Sequence, residues 1–209
     1  MRRMRIITRI MTAAVLVTAT TSCGTAVRTG SAAMFLSIDS LAGRRGAASP
    51  GQPSATLVSD VLTLVTNGGG CTTAAPCPTV FGDSGTASLR LVPKNPISGT
   101  DPSTTNEVTI SRVHVEYRRT DGRNTQGVDV PFAYDTFVTA VVPTSGSVDV
   151  SFELVRSQAK VETPLVQLVN NGQVIGAVAD VTLYGSDRAG NAISATGSIQ
   201  IEFANFGDF

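Results

Sequence analysis

Apolar and polar residues alternate with a period of two along much of the chain after residue 32. The alternation is strict in residues 148–154 (VDVSFEL), and it recurs in residues 198–203 (SIQIEF) and 88–91 (SLRL). Successive side chains of a β-strand point to opposite faces, so each segment would bury one face and expose the other. The pattern therefore predicts antiparallel β-sheet with one dry face.

The chain after residue 32 is rich in Val, Ile and Thr, which favour strands, and five further segments are predicted to be strands. They are residues 34–40, 56–66, 107–120, 137–142 and 178–185. In residues 107–120 the apolar side chains stand at even-numbered positions up to Ile110 and at odd-numbered positions from Val113. We therefore expect a β-bulge near Ser111 and Arg112. Residues 56–66 could also form an amphipathic helix, but their β-branched residues favour a strand.

One short helix is predicted after residue 162. Thr163 can cap this helix, and Pro164 suits its first turn. Its apolar face would be formed by Leu165, Leu168 and Val169. The helix would end at Asn171 and Gly172.

Turn motifs separate the predicted elements. They lie at residues 67–70 (NGGG), 82–85 (GDSG), 93–102, 121–122 (DG) and 187–191 (DRAGN). Many strands joined by polar turns, with almost no helix, are typical of an all-β sandwich or barrel. We therefore expect an antiparallel β-sandwich enlarged by long loops, with at most one short helix. It would form a single domain at residues 33–204, followed by a short tail at residues 205–209.

The N-terminal residues have the three zones of an export signal. Four arginines and no acidic residue stand in the first nine positions, residues 10–19 are mostly apolar, and small residues follow. The apolar run is too short for a permanent transmembrane helix, which requires about 20 residues. We therefore expect residues 1–22 to be removed as a signal peptide.

The predicted cleavage site, TTSCG at residues 20–24, resembles the lipobox of bacterial lipoproteins, in which the cysteine is lipidated and becomes the new N-terminus. Ser22 and Cys23 match this motif, whereas Thr20 stands where an aliphatic residue is usual. The resemblance implies a lipid anchor on Cys23. The residues that follow are small and polar with few apolar groups, so we expect a flexible tether at residues 23–32. Gly24 stands where an Asp retains lipoproteins at the inner membrane, which implies the outer membrane in a host that has one. The alternative is a secreted protein that loses Cys23 with its signal.

The cysteine count agrees with a lipid anchor. An exported protein with three cysteines has one left over after pairing, and lipidation of Cys23 would account for it. Cys71 and Cys77 then form an even pair in an oxidising compartment, and the five residues between them suffice to close a loop. We predict a disulfide across CTTAAPC; free thiols or a bridge to another molecule are the alternatives.

The charge balance argues against nucleic acid as a partner. The predicted signal peptide holds four of the 16 basic residues and none of the 16 acidic ones, so the remaining chain is mildly acidic. Such a chain lacks the basic footprint of nucleic-acid binding and the polybasic patch that attracts anionic lipid. Membrane contact is therefore expected through the N-terminal lipid.

The segment DVTLYGSDRAGN at residues 180–191, followed by an alternating strand, resembles the last hairpin of bacterial immunoglobulin-like domains. Asp187, Ala189, Gly190 and Asn191 match the D-x-A-G-N turn of those domains. With its lipobox and its tail FANFGDF, the chain is similar to lipoproteins of environmental bacteria. The resemblance implies an immunoglobulin-like β-sandwich in the cell envelope and implies no activity. The chain has no Trp, so the Cys…Trp…Cys signature of antibody domains is absent.

Residues suited to catalysis are scarce. His114 is the only histidine, and as a strand residue it would share an outward face with Arg112 and Glu116. No G-x-S-x-G motif presents a serine, so a solvated strand residue is the simpler interpretation of His114. Zinc requires three or four His, Cys or acidic ligands, which one His and a bridged pair do not supply. We therefore predict no catalytic, cofactor-binding or metal-binding residue.

Two binding alternatives stay open. Calcium could be bound by Asp187 with Asn191 or by Asp129 with Asp135, although turn formation explains these residues more simply. Glycans could stack on the aromatic rings of three further residues, for which core packing is the simpler role. These three are Tyr117, Phe132 and Tyr134.

The leading hypothesis is therefore an exported, lipid-anchored structural or interaction module of the cell envelope, without enzyme activity. Its partner would be an envelope protein or a polysaccharide. The alternative is a hydrolase or a glycan-binding accessory domain that works on envelope polymers. A pair of buried carboxylates in a cleft would favour a hydrolase, and a flat, solvated surface would favour the module.

Overall fold

The computed structural model describes residues 32–47, 51–95 and 103–207, which form an all-β fold. Ten strands are present in these ranges: β1 (Met34–Arg44), β2 (Thr56–Asp60), β3 (Thr63–Val65), β4 (Cys77–Thr79), β5 (Asp83–Pro93), β6 (Val108–Arg119), β7 (Tyr134–Val142), β8 (Val148–Val155), β9 (Ile175–Asp187) and β10 (Ala192–Ala204). Three short helical segments accompany them: α1 (Ser157–Lys160) and the 3₁₀ turns Thr104–Asn106 and Leu165–Asn170. No helix of the described ranges is long and apolar enough to cross a membrane.

Two of the sheets face each other as in a sandwich. The smaller one has the order β1-β5-β8, and the larger one has the order β2-β10-β9-β6-β7. Their facing sides share one apolar core, in which Leu89 of β5 and Leu154 of β8 lie with Leu183 of β9 and Ile201 of β10. Strands β3 and β4 pair separately as a small antiparallel ribbon.

Period-two alternation correctly located the strands of the core. In β8 the apolar Val150, Phe152 and Leu154 are buried, while the polar residues between them are exposed. The bulge predicted in β6 is confirmed, because the register shifts between Ile110 and Arg112 against both neighbouring strands. The extra residue at this point allows the apolar residues on both sides of the shift to face the core.

Three details of strand prediction were wrong. Residues 82–85 are not a turn, because β5 already begins at Asp83, whose buried carboxylate is held by partners distant in sequence. Residues 56–66 form two strands rather than one, since the chain leaves the large sheet after Asp60. Strand β2 also pairs with β10 in parallel, whereas an entirely antiparallel arrangement was expected.

The helical prediction was correct in place and wrong in detail. A 3₁₀ turn, Leu165–Asn170, lies where one short helix was expected, and it buries Leu165 and Leu168. Thr163 does not cap it; its hydroxyl donates instead to the main-chain oxygen of Gly127 at 2.6 Å. The helix α1 was not predicted, because four residues are too few for a helical period to be visible.

Strand β9 approaches β6 closely at Gly185 but not at Gly176, so replacing these two glycines by alanine should affect stability differently. A Cβ atom at Gly185 would lie 2.4 Å from the main-chain oxygen of Thr109, whereas one at Gly176 would meet nothing closer than 3.6 Å. We expect Gly185→Ala to destabilise the fold by about 1–3 kcal/mol through overpacking. Gly176→Ala should leave stability unchanged or raise it slightly. Urea unfolding monitored by circular dichroism would compare them, and equal stabilities would contradict the close approach.

Candidate functional site

The predicted disulfide is confirmed. Cys71 and Cys77 are bonded, and their α-carbons lie 5.4 Å apart. The bridge closes the turn between β3 and β4, in which Thr72 and Ala75 also exchange two main-chain hydrogen bonds of 3.0 Å. The third cysteine, Cys23, lies outside the described residues, as do the predicted signal peptide and most of the tether.

His114 lies on the outward face of the large sheet, in the strand position that the sequence predicted. Its Nδ1 is 3.2 Å from Oδ1 of Asp135, its register partner on β7, and its side chain is 30% exposed. Arg112 donates to the same oxygen at 2.9 Å. Thr182 is the register partner of His114 on β9, but its hydroxyl shares a 2.9 Å hydrogen bond with Thr196. His114 therefore belongs to a surface ion-pair network.

The same face carries aromatic groups that the sequence did not single out. The guanidinium of Arg112 lies 4.0 Å from the ring centre of Tyr184 on β9. Phe137, opposite Arg112 on β7, is 83% exposed. Register thus places Phe137, Arg112 and Tyr184 in one row across three strands. We call these three residues the aromatic row.

A further ion pair lies on the same sheet, farther along β6 and β9 from the aromatic row. Asp180 accepts hydrogen bonds from Arg118 at 2.6 Å and from Ser198 at 2.5 Å. Burial opposes the ionised form, but these two hydrogen bonds hold the pKa of Asp180 below its usual value. The small stabilisation from this shift is present above the ordinary pKa of an Asp and is lost as the pH falls through the lowered value.

Of the carboxylates considered for calcium, Asp187 and Asp129 close turns, and Asp135 lies in β7 beside Arg112 and His114. The two side-chain oxygens of Asp187 accept hydrogen bonds from the main chain and the side chain of Asn191, each at 2.8 Å. Gly190 in this turn has a φ of 84°, which glycine adopts without strain. Asp129 accepts from the main chain of Thr125 at 3.2 Å. Within the described ranges, no group of three or more His, Cys, Asp or Glu side chains could hold a metal ion.

Two of the three aromatic residues proposed as a glycan platform belong to the core. Tyr117 and Tyr134 are buried, and their hydroxyls donate across the sandwich to the main-chain oxygens of Leu154 and Glu153. Burial raises the pKa of both tyrosines. The third residue, Phe132, is half exposed, so core packing was the wrong role for it.

A buried ion pair is the most unusual polar feature of the described fold. Asp83, the first residue of β5, and Lys160, the last residue of α1, have side chains that are 0% exposed, and their Oδ2 and Nζ atoms lie 2.9 Å apart. Ser59 donates to Oδ2 of Asp83 at 2.5 Å, and the amide of Gly46 donates to Oδ1 at 2.8 Å. Lys160 also donates to the main-chain oxygen of Asp60 at 2.8 Å. We call these five residues the buried polar cluster.

Burial dominates the electrostatics of this cluster. Removal from water lowers the pKa of Lys160, while the charges of Asp83 and Asp60 act in the opposite direction. Buried charges are tolerated only when they are paired and hydrogen-bonded, which is the state of both members of the pair. The side chains of Asp83 and Lys160 are 0% exposed, so this cluster does not present a pair of carboxylates in an open cleft as a glycosidase does.

Sequence reasoning missed the buried polar cluster. Asp83 stands in GDSG, a composition typical of turns, and Lys160 follows a strand where a solvated lysine is ordinary. The chain contains 14 arginines and only two lysines, Lys94 and Lys160. This scarcity sets both lysines apart, but it does not indicate which of them is buried.

No family model, no curated protein and no solved structure matches this chain.

The surface position of His114 makes a direct prediction. We expect His114→Ala to change the free energy of unfolding by less than about 0.5 kcal/mol, because the side chain is partly exposed and Asp135 keeps its bond to Arg112. Val113→Ala is the matched control on the same strand; it removes a buried side chain and should cost about 2 kcal/mol or more. Urea titrations of both variants measure these values. A loss of several kcal/mol for His114→Ala would contradict its assignment to the surface network.

Proposed function

We propose that this chain is an exported protein of the cell envelope, lipid-anchored through Cys23, whose β-sandwich acts as a structural or interaction module. The signal-like residues 1–22 and the lipobox-like residues 20–24 support the anchor. In a host with two membranes, Gly24 favours the outer one. Residues 23–32 would hold the sandwich at a short distance from the membrane.

The disulfide is the observation that carries this proposal. Bridges of this kind form in oxidising compartments, so the Cys71–Cys77 bond supports export. It also leaves Cys23 as the one cysteine of the chain outside the bridge. An exported protein with an odd cysteine requires a use for it, and lipidation is a use that the neighbouring residues favour.

We also propose that the sandwich is of the immunoglobulin-like type. Its smaller sheet, β1-β5-β8, corresponds in chain order to strands A, B and E of that fold. The run β10-β9-β6-β7 corresponds to strands G, F, C and C′. The parallel strand β2 extends the second sheet beyond G, and β3 and β4 are additions between the first two strands of the smaller sheet.

An interaction module agrees with the character of the described surface. The outward face of the large sheet is open and carries paired charges, such as Arg118 with Asp180, rather than a cleft that gathers carboxylates. Isolated ion pairs of this kind add little stability, so their arrangement can serve recognition. The partner would be an envelope protein or a polysaccharide.

Glycan binding is a second candidate, and the aromatic row favours it. The exposed ring of Phe137 can stack on the apolar face of a sugar, and the neighbouring charges can bind hydroxyl groups. Retention of purified envelope polysaccharide by the wild-type protein, lost in Phe137→Ala, would favour this candidate over a protein-binding module.

The anchor is tested by replacing the lipidated thiol. We expect Cys23→Ser to move the protein from the membrane fraction to the soluble fraction, because acyl chains on Cys23 are its proposed attachment. The double variant Cys71→Ser/Cys77→Ser is the matched control and should remain in the membrane fraction. Immunoblotting of salt-washed membranes gives the distribution, and Cys23→Ser protein that stays with the membranes would overturn the anchor.

A further inference from the structure

We propose that Lys160 and Asp83 become joined by a covalent amide bond between Nζ and Cγ, formed within the folded chain. This bond would be a modification of the sandwich itself and does not depend on how the protein is anchored.

The geometry already holds the two groups in contact. Nζ of Lys160 lies 2.9 Å from Oδ2 of Asp83, and the side chains of both residues are 0% exposed. The carbon that the amine would attack, Cγ, is bonded to Oδ2, and groups kept in contact in this way react as though they were at a very high local concentration once the carboxyl turns its carbonyl face to the amine. The contact between this amine and this carboxyl is therefore a starting point for condensation.

The surrounding residues hold both groups in place. The main-chain oxygen of Asp60 accepts a hydrogen bond from Nζ, which fixes the direction of the amine. Ser59 donates to Oδ2 of Asp83, and the amide of Gly46 donates to Oδ1. Negative charge that develops on the carboxyl oxygens during attack would thus meet two donors already in position, as in an oxyanion hole.

Burial also favours the loss of the ammonium proton that condensation requires. Desolvation lowers the pKa of Lys160, although Asp83 and Asp60 partly offset this effect. Transfer of one proton from Nζ to the carboxylate converts the ion pair into a neutral amine and a carboxylic acid. Two neutral groups suit an enclosed apolar environment better than two charges do.

The reaction balances without any other reactant. The lone pair of Nζ attacks Cγ of the protonated Asp83, and the carbonyl electron pair moves to oxygen. When the carbonyl forms again, the bond from Cγ to the hydroxyl breaks, and a proton from Nζ leaves with that hydroxyl as water. Nothing is oxidised or reduced. Asp83 borders a surface depression lined by Gly82, Ser84, Phe152 and Glu153, and the released water would leave on this side.

The bond would close a long loop of the chain. Asp83 begins β5 in the smaller sheet, and Lys160 ends the helix that follows β8. A covalent link between them would fix the end of β8 to the beginning of β5 in the unfolded chain as well as in the folded one. Such links resist unfolding most when the enclosed loop is long.

A tryptic peptide map of the full-length protein tests the proposal. Trypsin cleaves after Lys and Arg, so an unmodified chain releases the peptide SQAK, which ends at Lys160. With the amide in place Lys160 is not cleaved, and residues 46–90 remain joined to residues 157–188. We expect this branched peptide in digests of denatured, reduced and alkylated protein, lighter than its two parts by one water. Fragmentation should place the link at Asp83 and Lys160.

Two controls accompany the digest. Lys94, the other lysine of the chain, should be cleaved fully in the same sample. Lys160→Arg keeps a positive charge but removes the nucleophilic amine, so its digest should contain residues 46–90 without a link, and cleavage at position 160 should release residues 157–160 and 161–188. The map of the wild-type protein is decisive even where this variant does not fold. Complete release of SQAK from wild-type protein, with residues 46–90 at their unmodified mass, would overturn the proposal.

Discussion

The contact between Asp83 and Lys160 is the constraint around which the described fold is arranged. Two charged side chains lie entirely inside the protein, 2.9 Å apart, where water cannot stabilise either of them. Each therefore requires its partner and the groups of the buried polar cluster, which come from the segment before β2, from β2 itself, from β5 and from α1. Loss of any one element would leave a buried charge incompletely satisfied. The cluster thus fixes where strands of both sheets begin or end.

The two faces of the large sheet meet different physical demands. Its inner face is apolar, and Tyr117 and Tyr134 lie there because their hydroxyls reach the main-chain oxygens of β8 across the core. Its outer face carries the aromatic row and exposed ion pairs, which contribute little to stability. Stability is therefore supplied by the inner face and by the buried polar cluster, and the outer face can be used for recognition.

Local sequence patterns predicted the parts of this fold that depend on neighbouring residues. Period-two alternation located β8 and β10, the parity change in β6 located the bulge at Ile110 and Arg112, and cysteine spacing identified the disulfide. The parallel pairing of β2 with β10 was not predicted, because nothing in residues 56–60 specifies a partner near the other end of the chain.

Asp83 is the clearest case in which tertiary structure overrides local preference. Gly, Asp and Ser favour turns, yet three hydrogen-bonding partners from distant parts of the chain hold Asp83 in a strand. Lys160 was missed for a related reason, since a single lysine carries no periodic signal of burial. Of the residues chosen as sites from the sequence, Cys71 and Cys77 form the expected bond, and lipidation of Cys23 stays a prediction.

A double-mutant cycle on the buried pair tests the central role of Asp83 and Lys160 most directly. The free energy of unfolding would be measured for wild-type protein, Asp83→Ala, Lys160→Met and the double variant, with Arg118→Ala and Asp180→Ala as the corresponding cycle on an exposed pair. The buried pair should show a coupling of about 2–3 kcal/mol or more, because each single variant leaves the other polar group buried without its partner, whether the two are joined by charge or by the proposed amide. The exposed pair should be nearly additive. Additivity within about 0.5 kcal/mol at Asp83 and Lys160 would contradict the account.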